Sequence, residues 1–169
     1  MMRRAVVYVV IVLIAGLVIY AFQPPKPLGE GNVAPNVTLN LLDGQNKTLA
    51  DYKGKVVVLD FWATWCAPCR FTMPKMIDFY NRHRDQNVEV IGVAVDVTNP
   101  AEVGQFVKEM EVNYPIAVDR EAVVKQAYEI KNLPTLFVID KEGNIVLRLE
   151  GYDPQHTIQT LEDTVKRAL

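Results

Sequence analysis

The chain has 169 residues, 50% of them hydrophobic and 22% charged, which suits one globular domain with an appendage. Its formal net charge of −2 lacks the basic excess that a nucleic-acid partner would call for, and none is expected. The charge is also uneven: Arg3, Arg4 and Lys26 precede residue 28 with no acid among them, so the remainder is mildly acidic.

Ala5 to Phe22, AVVYVVIVLIAGLVIYAF, carries no charge and no strongly polar group. As a helix it would span roughly 27 Å, near the hydrocarbon thickness of a bilayer. Arg3 and Arg4 can snorkel to one interface, and Tyr8 and Tyr20 sit near the two ends. Residues 1–22 are therefore expected to be a single-pass transmembrane signal-anchor in the cell membrane. The positive-inside rule puts its N-terminus in the cytoplasm and the rest of the chain outside it. The alternative is a cleaved secretory signal, whose apolar region is usually about 7–15 residues and ends in a small-x-small site. The exit here, VIYAFQPP, has no such site. Both readings place the domain in the same compartment.

Residues 23–33 read as a Pro/Gly-rich, extended and semi-rigid linker, and 34–169 as the globular domain. VTLNLLDGQNKTLADY predicts a hairpin turning at Asp43–Gly44. KVVVLDFW is an apolar, β-branched run that suits a central strand covered on both faces. Asp60 interrupts it. A carboxylate there is either buried, with its pKa raised so that it can accept a proton, or reaches water at the strand end.

The strand runs into FWATWCAPCR, which holds the only two cysteines, Cys66 and Cys69. The helical spacing of Ala67 to Arg84 gives a broad face of Phe71, Met73, Met76, Ile77 and Tyr80, with a kink expected at Pro74. Cys66 would then lie at a helix N-terminus, where free N–H groups and the helix dipole favour a thiolate, with Arg70 as a nearby cation. Pro68 suits the first helical turn and stiffens the pair, which can close a Cys66–Cys69 disulfide without moving the fold. Cys66 is expected to be the accessible nucleophile and Cys69 the buried resolving thiol. Zinc needs about four ligands, and neither a second cysteine pair nor a histidine cluster is present. Covalent haem attachment wants histidine at the position of Arg70. A staple across so short a loop removes little unfolded-state entropy. Thiol–disulfide exchange remains, and it requires no metal or cofactor.

VEVIGVAVDV predicts a second buried strand, Ala101 to Glu111 a helix, YPIAVD a short strand and Glu121 to Tyr128 a short helix. TLFVID and IVLRLEGY predict strands joined by the hairpin turn Lys141–Asn144. Pro154 should open a last helix to Ala168. Trp62 reads as core and Trp65 as substrate surface. Gly151 either admits a partner backbone or simply ends a strand, and His83 and His156 read as surface residues. Strands alternating with helices, then a hairpin, give an α/β domain with a mixed central sheet. From the residues alone Pro134 could be cis or an ordinary trans proline starting a strand.

GKVVVLDFWATWCAPCRFTMP, with NLPTLFVIDKEGNI downstream, resembles the thioredoxin superfamily. Within its redoxin (AhpC/TSA-like) branch it is most similar to the membrane-anchored TlpA/ResA-like thiol–disulfide oxidoreductases. The resemblance covers most of residues 33–165, including the N-terminal hairpin that ordinary thioredoxins lack. It implies a thioredoxin fold with an N-terminal β-hairpin extension and a cis Leu133–Pro134 bond facing the sulfurs. It also implies catalytic roles for Cys66, Cys69, Asp60 and Pro134, and a substrate surface at Trp65, Ala67, Pro68, Leu133 and Thr135. Asp60 holds the place of thioredoxin's buried aspartate. Thr72 departs from the ResA pattern, which has glutamate there, so proton handling closer to thioredoxin's is expected. The family further implies a reductase, kept reduced by a membrane-embedded thiol-electron carrier, for disulfide-bonded exported proteins such as apocytochrome c during cytochrome c maturation. The sequence leaves two other readings open. One is a peroxiredoxin-type thiol peroxidase, although Ala63 stands where those enzymes carry threonine. The other is a non-enzymatic, membrane-tethered chaperone or haem-handling adaptor.

Overall fold

The structure, a computed structural model, describes residues 11–17, 27–95 and 99–169. Its centre is a five-stranded mixed sheet in the order β5-β4-β3-β6-β7, built from β3 (Val56–Trp62), β4 (Val88–Ala94), β5 (Ile116–Val118), β6 (Thr135–Ile139) and β7 (Ile145–Glu150). β3 runs parallel to β4 and antiparallel to β6, and every one of its residues is buried. That is the reason for its near-continuous apolar run: a strand covered on both faces has no polar side to alternate with.

The helices are α1 (Ala67–His83), α2 (Pro100–Glu109), α3 (Val123–Ala127) and α4 (Thr157–Ala168). The predicted hairpin forms from β1 (Leu39–Asn40) and β2 (Asn46–Lys47), with Gly44 at φ 87°, the left-handed conformation that its turn requires. It is stitched to β5 by the Leu41–Ala117 bridge and by Leu42 N–H donating to Ile116 O at 2.8 Å, so it covers that edge of the sheet.

Several expectations need correction. Phe71 does not join the buried face of α1; it is 69% exposed, and the face consists of Cys69, Thr72, Met73, Met76, Phe79 and His83. His83 is buried rather than on the surface, because Glu162 of α4 meets its Nε2 at 2.8 Å and the Phe79 ring lies 4.5 Å away. His156 is exposed as expected. α4 starts three residues after Pro154, because Asp153 holds residues 154–156 in a turn, with its Oδ1 accepting from Gln155 N and Oδ2 facing His156 Nδ1. Part of the predicted linker is already docked: Leu28 N–H donates to Glu129 Oε2 at 3.1 Å, and Gly31 N–H to Ile145 O at 2.9 Å.

Of the expected membrane helix, residues 11–17 are helical and exposed. The rest of that span lies outside the described residues. Among the described residues no helix is long and apolar enough to cross a membrane.

Candidate active site

The site forms where β3 hands over to α1. Trp62 ends the strand fully buried, its ring stacked 5.3 Å from Phe106 of α2. Ala63 to Trp65 make the turn, closed by Cys66 N–H donating to Ala63 O at 3.1 Å. Cys66 is the N-cap of α1, with extended backbone (φ −79°, ψ 99°), and its Sγ accepts from Cys69 N–H at 3.3 Å. The side chain therefore takes the place that a serine or aspartate oxygen fills at many helix starts. Pro68 falls in the first turn, where its missing N–H costs nothing.

Cys66 and Cys69 are disulfide-bonded, with Cα atoms 5.3 Å apart. Cys66 is 4% exposed and Cys69 1%, so the nucleophile that was expected to be accessible shows only a sliver of surface in the bonded form. Arg70 is engaged elsewhere than at the sulfurs. Its Nε donates to Thr64 O at 3.4 Å and its guanidinium lies 4.9 Å from the Phe106 ring centroid. Thr72, in the place of the ResA glutamate, is buried and donates its hydroxyl to Cys69 O at 2.9 Å.

The sliver of Cys66 opens into a cleft of about 330 Å³ lined by Trp65, Cys66, Ala67, Pro68 and Leu133, with Lys125, Ile130, Lys131 and Asn132 opposite. Leu133–Pro134 is cis. Pro134 is buried, and its carbonyl accepts from Gly151 N–H at 2.7 Å. That bond, made at φ 79°, is what the strand-end glycine does. Thr135 is completely buried and its hydroxyl donates to Asn132 O at 2.7 Å, which leaves only its backbone to meet a substrate. Trp65 is 73% exposed at the rim. A second, more apolar groove of about 540 Å³ shares Ala67 and Pro68 and extends over Phe71, Lys75, Tyr152 and Pro154. A further cavity of about 270 Å³ lies at the opposite end of β3, among Lys53, Lys55, Val57 and Lys141, and holds no sulfur. Chemistry therefore assigns the site to the Cys66 cleft. Sequence reasoning missed the cleft's basic wall of Lys125 and Lys131; the only available signal was that Lys131 and Asn132 directly precede Leu133–Pro134.

Asp60 is 1% exposed, and burial pushes its carboxyl up to about 7. Its strand neighbours, Gly92 on β4 and Leu136 on β6, bring no charge. Its Oδ1 makes no hydrogen bond to the protein, and the same holds for the buried Trp62 Nε1 and Tyr114 Oη. Among the described residues no group of three His, Cys, Asp or Glu side chains is placed to hold a metal ion. The arrangement offers a dithiol with one sulfur opening on a cleft and one enclosed, at a helix start that favours an anion, and the strand that leads into it carries a buried carboxyl pushed up to about 7.

Residues 31–148 match the AhpC/TSA family. The chain is 34% identical over 165 residues to the thiol-disulfide oxidoreductase ResA of Bacillus subtilis, covering 96% of this chain and 92% of that protein. It is 36% identical over 168 residues to ResA of Geobacillus kaustophilus, covering 98% and 95%. Among solved structures, a Chlorobium tepidum chain described as a thiol:disulfide interchange protein DsbE superposes with a TM-score of 0.78 at 30% identity, over 83% of this chain and 98% of that one.

Proposed function

Since the chain belongs to the AhpC/TSA family and is a thiol–disulfide oxidoreductase of the ResA and DsbE type, we propose that it is a membrane-tethered reductase of disulfides in exported proteins, apocytochrome c among them. The observation that carries this reading is the placing of the Cys66–Cys69 pair. Cys66 Sγ caps α1 and faces the cleft, while Cys69 lies behind it.

The reducing cycle starts from the dithiol. The Cys66 thiolate, held by the Cys69 N–H and the positive end of α1, attacks one sulfur of a client disulfide. The client's other sulfur leaves as a thiolate and takes up a proton. Asp60 then accepts the Cys69 proton, and the Cys69 thiolate attacks Cys66 Sγ. The mixed disulfide breaks, the client leaves with two thiols, and the enzyme holds the Cys66–Cys69 disulfide. A membrane-embedded thiol carrier returns two electrons. Trp65, Ala67, Pro68 and Leu133 form the surface on which the client lies, and the cis bond to Pro134 fixes the backbone that presents Leu133 to the cleft. With threonine at position 72, Asp60 is the buried acid that serves Cys69.

Tethering rests on the apolar run 5–22, whose described residues 11–17 are helical with Ile11, Val12, Leu13, Ile14 and Leu17 all exposed. A helix that exposes such a surface is suited to lipid. Arg3 and Arg4 place its start in the cytoplasm and the thiols outside. An anchor of this kind also raises the effective concentration of membrane partners.

The reduction potential of the Cys66/Cys69 couple, measured by equilibration with glutathione or dithiothreitol buffers, tests the direction. A reductase should poise nearer thioredoxin's roughly −270 mV than the roughly −120 mV of the oxidant DsbA. A value at the oxidising end would overturn the reading.

A further inference from the structure

The buried face of the sheet beneath α1 holds a feature that thiol exchange leaves unused. Asp60 and Trp62 are two residues apart on β3, so both side chains point to the same face. Gly92 of β4 lies directly beside Asp60 in register. An added Cβ at Gly92 would sit 3.0 Å from Trp62 Nε1, 3.1 Å from Tyr114 Cε2 and 2.5 Å from Ile116 Cδ1. The bare backbone at 92 thus lets the indole and the phenol close over the strand next to Asp60. Each of the three side chains leaves a buried polar atom without a hydrogen bond to the protein: Asp60 Oδ1, Trp62 Nε1 and Tyr114 Oη. The Asp60 charge also raises the Tyr114 hydroxyl, after burial itself, which places the two groups within electrostatic reach. Gly92, in register with Asp60, brings the Trp62 and Tyr114 rings into the neighbourhood of that carboxyl; two donors and one acceptor are the partners that an internal water needs, and leaving all three unsatisfied would be costly. Tyr114 also lines a surface cavity of about 200 Å³ with Leu41, Asp43, Val107 and Ile116, so the cluster lies one side chain from solvent.

We propose that Trp62 and Tyr114 hold an internal water on Asp60 Oδ1, and that Tyr114 is a positioning residue for that carboxylate. The water donates one hydrogen bond to the carboxylate and accepts from both the indole N–H and the phenol. It stabilises Asp60 while it is charged and offers a proton a way out past Tyr114. The other ionisable groups that α1 brings to this side are Cys66, Cys69, Arg70, Tyr80 and His83, the last paired with Glu162 of α4. Arg70 is occupied with Thr64 O and the Phe106 ring, and Tyr80 meets the Tyr114 ring at 6.0 Å. β6 presents none, and Glu89 of β4, in register with Val57, points to the opposite face and pairs with Lys55.

The test is the titration of Asp60 in the oxidised full-length protein, read from its carboxyl infrared band and assigned with Asp60→Asn. This readout is independent of which client or electron donor the dithiol serves, so its failure is separable from failure of the proposed reductase role. Tyr114→Phe should raise the Asp60 midpoint by about one pH unit, the worth of a lost hydrogen bond to a charged group. Tyr128→Phe is the control: it removes a hydroxyl bonded to Pro35 O from the opposite face of the sheet, and should leave the midpoint in place. An unmoved midpoint in Tyr114→Phe, or an equal shift in both variants, overturns the proposal. A measurement on the unmutated protein guards against poor folding of the variant. The Trp62 indole proton should show a magnetisation-transfer peak to a long-lived water, and its absence also overturns the proposal.

Discussion

Asp60→Asn should make the protein more stable in alkali and leave it nearly unchanged in acid. The buried carboxyl titrates at about 7 against 3.8 for an ordinary aspartate, and burial is the cause. Its folded-state pKa is therefore raised. Below pH about 4 both states hold the proton and nothing is lost. Between about 4 and 7 the unfolded chain has released the proton while the native state retains it, so stability falls as pH rises. Above about 7 the native state carries a buried charge. The full difference, from 3.8 to about 7 at about 1.4 kcal/mol per pH unit, is about 4 kcal/mol. Asparagine mimics the neutral acid and never charges. Guanidinium unfolding of the oxidised full-length protein and of Asp60→Asn, at intervals from pH 4 to 9, should give curves that meet near pH 4 and diverge by up to about 4 kcal/mol at pH 8–9. Parallel curves would refute the reasoning, because they would mean that Asp60 titrates alike in both states. The same variant should slow resolution of the mixed disulfide at neutral pH, so that stability and turnover move in opposite directions.

Gly92→Ala should cost about 1–3 kcal/mol in denaturant unfolding, because its Cβ would fall 2.5 Å from Ile116 Cδ1 and 3.0 Å from Trp62 Nε1. Glu162→Gln should lose about 1 kcal/mol at pH 7 and progressively less as pH falls below 4.5. Burial works against the Glu162 charge, but hydrogen bonds from Arg82 and His83 outweigh it and hold the carboxyl below its usual range; that stability, present at neutrality, disappears as acid protonates the group. Trp65→Ala should change the unfolding midpoint by less than the equivalent of about 0.5 kcal/mol, since the ring is 73% exposed, while raising KM for a disulfide-bonded peptide.

The centre of the sheet was legible because β3 and β4 are covered on both faces, so they appear as apolar runs broken only by Asp60 and Glu89. The dithiol was legible for a local reason too: strand, turn, cysteine and helix start are contiguous. What could not be seen depended on distant partners. His83 looked like a frayed helix end, and only Glu162, 79 positions away, makes it a buried residue. Phe71 looked like core because hydrophobicity does not distinguish a residue that packs inward from one that lines an open groove, and here it lines the groove. Asp60 was conspicuous in its strand, but its companions Gly92 and Tyr114 emerge only from the β3–β4 register and from the turn before β5. The inward turn of the Thr135 hydroxyl to Asn132 O likewise has no local signature.

The β1–β2 hairpin against β5 has a bearing on how such an enzyme handles other polypeptides. A bare flank there would offer amides and carbonyls to any extended chain, and a protein that meets client chains for a living would risk being zippered to them. With Leu41 and Leu42 already occupying that flank, an incoming strand gains nothing by lying alongside it. On that flank a visitor finds no amides to pair with, and it is free to depart once its bond has been exchanged.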